Sequence, residues 1–118
     1  MKINTADLIG APLDWAVGRA LKMKLSQARL AFQLEKFGHL QKQHGGDWCP
    51  SIDWSQGGPI IEREGICVDI MLNGEWIAVS CKVEYTQCMP GLTPLIAAMR
   101  CFVASRLGDE VDIPEELL

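Results

Sequence analysis

Asn73-Gly74 lies between two apolar-rich runs, Ile66-Cys67-Val68-Asp69-Ile70-Met71-Leu72 and Glu75-Trp76-Ile77-Ala78-Val79-Ser80-Cys81. Both residues tolerate the backbone angles of a tight reversal, so the pair predicts a β-hairpin with a two-residue turn. Alternation along the return run puts Trp76, Ala78 and Ser80 on one face and Ile77, Val79 and Cys81 on the other. The return strand can continue through Lys82-Val83-Glu84-Tyr85. A hairpin commits the chain to an antiparallel sheet, and a sheet of about three strands needs helices to cover it.

The C-terminal cover is the segment from Thr93 to Gly108. Thr93 is a good N-cap, Pro94 fits the first helical position, and Gly108 ends the period. Leu95, Ile96, Met99, Phe102, Val103 and Leu107 form its apolar face, leaving Arg100, Ser105 and Arg106 for solvent. A first helix is expected from Ala11 or Pro12, with Leu13, Ala16, Val17, Ala20 and Leu21 inward. Asp14, Arg19 and Lys22 fall mostly elsewhere, and Trp15 covers an edge. A second stripe, Leu30, Leu34 and Phe37, lies within Ser26 to Phe37 and stops at Gly38. Residues 12–37 can therefore be one helix or two, followed by a polar loop from His39 to Trp48.

Between loop and hairpin stands Asp53-Trp54-Ser55-Gln56-Gly57-Gly58-Pro59-Ile60-Ile61-Glu62-Arg63-Glu64-Gly65. Asp53 can cap a helix start and Gly65 can close one, but Pro59 costs about 3 kcal/mol in a helix interior. A turn at Gln56-Gly57-Gly58 leading into a Pro59-led helix satisfies both constraints, and a helix throughout remains open.

Of the 118 residues, 48% are hydrophobic and 22% charged, a mixture that supports one packed domain over residues 1–118 and not a disordered chain. The net charge of −4 is uneven: residues 1–43 carry +4 and the remainder −8. Arg19, Lys22, Lys24, Arg29, Lys36 and Lys42 are the basic-surface candidates. Phosphate binding needs gathered positive charge, and the acidic remainder opposes it, so nucleic acid is not the favoured partner. No run reaches the 18 or more apolar residues of a membrane span, and nothing at the start resembles a secretion signal. Five irregularly spaced cysteines predict reduced thiols in a cytoplasm.

Chemistry-bearing patterns are weak. His39, His44, Asp47 and Cys49 lack the spacing of a zinc site, so no metal or other cofactor is expected. Cys81 or Cys88 has no adjacent base to activate it. Asp53, Glu62 and Glu64, with Asp69 beyond, could serve a hydrolytic or Mg²⁺ site only if the fold gathered them; caps and solvated carboxylates explain them as well. Gln56-Gly57-Gly58-Pro59 is neither a dinucleotide fingerprint nor a phosphate loop. Trp48 and Trp54, with Pro50 and Ile52, can stack a ligand or form a lid over the core.

Leu13-Asp14-Trp15-Ala16-Val17, the block from Pro50 to Gly65, and Gly91-Leu92-Thr93-Pro94-Leu95-Ile96-Ala97-Ala98-Met99-Arg100 together closely resemble the NinX-like group of phage and prophage proteins. The resemblance spans nearly the whole chain and is least distinctive from Met23 to Gly46. It implies expression in the cytoplasm of a bacterial host, an α-β-α sandwich, and a helix around Asp53 to Arg63. It supplies no catalytic or binding residues.

The sequence thus predicts a small α+β domain: an antiparallel sheet of about three strands containing a hairpin, packed with three or four helices. The leading functional expectation is a non-enzymatic accessory module that binds a host or phage protein. Its surface candidates are Trp15, Trp48, Asp53, Trp54, Gln56, Glu62 and Arg63. A nucleic-acid-associated protein is the second reading, and a small hydrolytic or metal-dependent enzyme using the carboxylates at 53–64 the third. The tryptophan patch serves a homodimer equally well.

Overall fold

The computed structural model describes residues 1–22, 48–81 and 88–118. The expected helix at 26–37, the loop after it and the extension of the return strand to Tyr85 lie outside the described residues. The elements are β1 (Lys2–Asn4), α1 (Ala11–Ala20), α2 (Trp54–Glu64), β2 (Ile66–Ile70), β3 (Trp76–Ser80), β4 (Met89–Gly91), α3 (Pro94–Leu107) and β5 (Glu110–Asp112), with short 3₁₀ turns after β1 and β5.

The hairpin forms in the expected register: β2 and β3 pair antiparallel from Ile66 with Ser80 to Ile70 with Trp76, and β4 adds to the other edge of β3. Its turn is one residue longer than expected. The Gly74 amide donates to the Met71 carbonyl and the Met71 amide to the Glu75 carbonyl, enclosing Leu72, Asn73 and Gly74. Gly74 alone of these takes a positive φ, 87°. A turn closed by a left-handed glycine is the usual three-residue hairpin solution.

The helix α3 is the centre of the fold. The Thr93 hydroxyl accepts from the Ile96 amide at 3.1 Å, Pro94 takes the first position, and Gly108 ends the helix, all as the sequence predicts. Leu95 through Met99 and Cys101 through Val103 are buried, so most of the helix circumference is enclosed. It packs on β2, β3 and β4, and α1 and α2 pack against it. The two faces of β3 alternate as predicted: Ala78 and Ser80 are buried, while Cys67, Asp69 and Cys81 are exposed on the opposite side. The described helices lie on one side of the sheet, and the second helical layer of a sandwich is not among the described residues.

Tertiary packing decides two arrangements, one left open by the sequence and one different from expectation. The segment after Asp53 is helical throughout, with no turn at residues 56–58. Pro59 forfeits its bond to the Ser55 carbonyl, but Ser55 is exposed, so water can take that acceptor. Asp53 caps the start through the Ser55 amide, Gly65 closes the end at φ 64°, and Gly57 and Ile60 are buried. The second is α1, where every residue from Leu13 to Gly18 is buried. Trp15, expected at an edge, is 1% exposed, with the Arg19 guanidinium 5.4 Å from its ring centre.

A second, two-stranded sheet joins β1 to β5, with Ile3 opposite Val111. Three-residue strands carry too little alternation to be read from sequence. Thr5, fully buried, extends this clasp by donating its hydroxyl to the Gly108 carbonyl at 2.7 Å.

Candidate functional site

The most distinctive local construction is the loop from Trp48 to Asp53, which leads into α2 and is tied to α1. The Trp48 indole nitrogen donates to the Asp14 backbone carbonyl at 2.8 Å, and the Ser51 amide donates to the Asp14 carboxylate at 2.9 Å. The Ser51 hydroxyl adds a second bond to that carboxylate. From the other side, the Cys49 amide donates to the Gln56 side-chain oxygen at 2.8 Å. Burial pushes the Asp14 carboxyl from 3.8 up to about 6, because desolvation of the charge outweighs the Ser51 bonds that favour it. Asp14, expected at the helix surface, is therefore an internal anchor.

This anchoring divides the loop. Trp48 and Pro50 turn inward, whereas Ile52 and Trp54 turn out, 72% and 55% exposed. The lid expected from Trp48, Trp54, Pro50 and Ile52 is thus only half a lid. Ser51, Ile52, Trp54, Thr93, Pro94 and Leu95 line a hollow of about 170 Å³ between the loop and the start of α3. Leu92, beside it in sequence, is 74% exposed. Leu92 was not singled out by sequence reasoning. Its signal was a leucine placed just before a helix cap, a position that often packs on its own helix.

The remaining surface candidates have local duties. Asp53 accepts from both the Ser55 amide and the Ser55 hydroxyl, which hold its carboxyl below the usual range. Gln56 latches the loop, so its side chain faces Cys49 and Asp53. Glu62 is exposed on α2. Arg63 pairs with Glu64 at 3.0 Å, and Arg106 from α3 reaches the same carboxylate at 2.7 Å. Burial opposes the Glu64 charge, but the two guanidinium groups prevail and its pKa is lowered. The expected patch of three tryptophans does not form: Trp15 is internal, Trp48 is tethered and half-buried, and Trp54 stands outside with Ile52.

Asp53 and Glu64 lie at opposite ends of α2, which at 1.5 Å per residue separates them by about 16 Å. Paired carboxylates in glycoside hydrolysis work at about 5–9.5 Å, so these two do not form such a pair. Among the described residues, no group of three or more His, Cys, Asp and Glu side chains is placed to hold a metal ion. His39, His44 and Asp47 lie outside them.

Of the basic candidates, Lys24, Arg29, Lys36 and Lys42 lie outside the described residues, and Lys22 is exposed at the end of α1. Arg19 is half-buried beside a hollow of about 280 Å³, together with Leu107, Glu110, Val111 and Asp112. Two carboxylates next to Arg19 make this end of the molecule mixed in charge and not a basic field.

Residues 4–106 match the family model described as Bacteriophage P22, NinX. The chain belongs to that family. The matched span of this NinX-family chain contains α1, the anchored loop, α2, the hairpin and all of α3 but Leu107, and so every residue lining the hollow beside Trp54. β5 and the second wall of the Arg19 hollow fall beyond it. A comparison with curated proteins finds no match. No described helix is long and apolar enough to cross a membrane.

Proposed function

We propose that this NinX-family protein is a non-enzymatic accessory module of the infected bacterial cytoplasm that docks an apolar side chain of a host or phage protein beside Trp54. The observation that carries this reading is the outward pair Ile52 and Trp54 at a hollow of about 170 Å³. That volume is below the roughly 300 Å³ at which small-molecule sites begin, but it accepts one anchoring side chain. Aromatic residues at the rim of a small apolar hollow are the usual hot spots of protein contacts. The anchored loop supports the reading further, because a surface held in place by Asp14 and Gln56 loses little freedom when a partner binds.

Reciprocal affinity capture from phage-infected cells supplies the partner, and binding is then measured with the two purified proteins. Trp54→Ala and Ile52→Asp should each weaken binding at least tenfold. Unchanged affinity in both variants would remove this surface from the function. A chain that instead self-associates through the same residues, seen by light scattering as a dimer abolished by Trp54→Ala, would replace the foreign partner with a second copy.

A further inference from the structure

Cys67 in β2 and Cys81, one residue past β3, occupy the outward face of the hairpin. Cys67 pairs with Val79, and the Cys81 amide donates to the Gly65 carbonyl at 2.9 Å, so the two cysteines are diagonal neighbours across the strand pair. Both are exposed free thiols. Cys101 is buried under the sheet, and Cys49 sits on the loop before α2. Neither Cys67 nor Cys81 lines the hollow beside Trp54.

We infer that Cys67 and Cys81 form a thiol-modification site: a dithiol that reacts with a small-molecule disulfide of the glutathione class and closes to a Cys67–Cys81 disulfide. In the first step a cysteine thiolate attacks one sulfur of the small disulfide. That S–S bond breaks, a mixed disulfide forms, and one small thiolate leaves and takes up a proton. In the second step the other cysteine, having lost its proton, attacks the protein sulfur of the mixed disulfide and expels the second small thiol. The protein loses two electrons and two protons, and the small disulfide gains them as two thiols.

Either thiolate can open the sequence, and the other cysteine closes it. Diagonal neighbours across an antiparallel pair stand about 7–8 Å apart, just above the limit of about 7 Å for a bridge without backbone movement. The movement falls to Cys81, which lies at a bend beyond the last paired residue of β3.

The full chain, fully reduced and then exposed to glutathione disulfide, provides the test. Residues 64–82 form a single tryptic peptide between Arg63 and Lys82, and it contains both cysteines. After unfolding and alkylation, that peptide should appear two hydrogens lighter and unalkylated, while the other three cysteines are alkylated. Cys67→Ser should arrest the reaction at one glutathione adduct on Cys81. Both positions are exposed, so wild type and variant alike meet glutathione disulfide as folded protein. A wild-type peptide that remains fully alkylated, a persistent mixed disulfide without closure, or a crosslink to the peptide carrying Cys88 would each overturn the assignment.

Discussion

The Ser51 amide lies 2.9 Å from the Asp14 carboxylate, and this bond couples α1 to the loop that presents Ile52 and Trp54. It also places an ionisable group where its charge is poorly solvated. The folded state binds a proton at Asp14 more tightly than the unfolded chain does, since the pKa rises from 3.8 to about 6 on folding. Stability contributed by this group is therefore greatest in acid and falls as pH rises through that interval, levelling off above about 6. The interval is equivalent to about 3 kcal/mol. Asp14→Asn retains an oxygen for Ser51 but cannot ionise. Relative to wild type, its unfolding free energy should improve by about 2 kcal/mol between about pH 4 and pH 7. Urea titrations across that range check the slope, and a pH-independent difference would contradict it.

Adjacent glycines in α2 should respond oppositely to alanine. A Cβ on Gly57 would stand 2.5 Å from the Pro50 carbonyl oxygen and 2.6 Å from a Leu95 methyl, and the backbone oxygen cannot step aside. Gly57→Ala should cost about 1–3 kcal/mol. At Gly58 the nearest atom is on Trp54 at 4.0 Å, so alanine gains helix propensity without a clash. Gly58→Ala should stabilise by about 0.5–1 kcal/mol. Thermal melts of the pair decide the matter.

Arg100 donates from its Nε to the Leu8 carbonyl at 2.7 Å and from a terminal nitrogen to the Pro90 carbonyl at 2.8 Å. A lysine ammonium lacks that forked geometry and leaves one acceptor unmet. Arg100→Lys should lower stability by about 1–3 kcal/mol, read by chemical denaturation. Full stability in the variant would mean that the fork is dispensable.

Tryptophan substitutions should separate core from surface. Trp15→Ala removes a side chain 1% exposed and should cost about 3–5 kcal/mol. Trp54→Ala, at 55% exposure, should stay within about 0.5 kcal/mol of wild type. Denaturant midpoints distinguish the two, and a large loss at Trp54 would assign it to packing.

What could be read from the sequence depended on how local the governing interactions are. Thr93, Pro94 and Gly108 mark α3 because capping and proline placement act within one helical turn. The hairpin was visible because alternation and Asn73-Gly74 lie in one short stretch, although the turn length depended on how the flanking residues paired. Asp14 and Arg100 were assigned to solvent because both are charged. Their actual partners, Ser51, Leu8 and Pro90, are separated from them in the chain and are mostly backbone groups, which leave no pattern in side-chain identity. Pro59 argued for a broken helix, but capping at Asp53 and burial of Gly57 and Ile60 prevailed. The candidate site was half visible: Trp54 was named, whereas Ile52 was treated as a lid and Leu92 was not singled out, since exposure of an apolar residue is decided by the packing around it.

The pairing of β1 with β5 brings sequence-distant ends of the fold side by side. A circular permutant that joins them through a short flexible linker and opens at Gly74, in the exposed hairpin turn, would preserve every strand pair described above. The topology would then no longer depend on the order in which the hairpin and the clasp are synthesised.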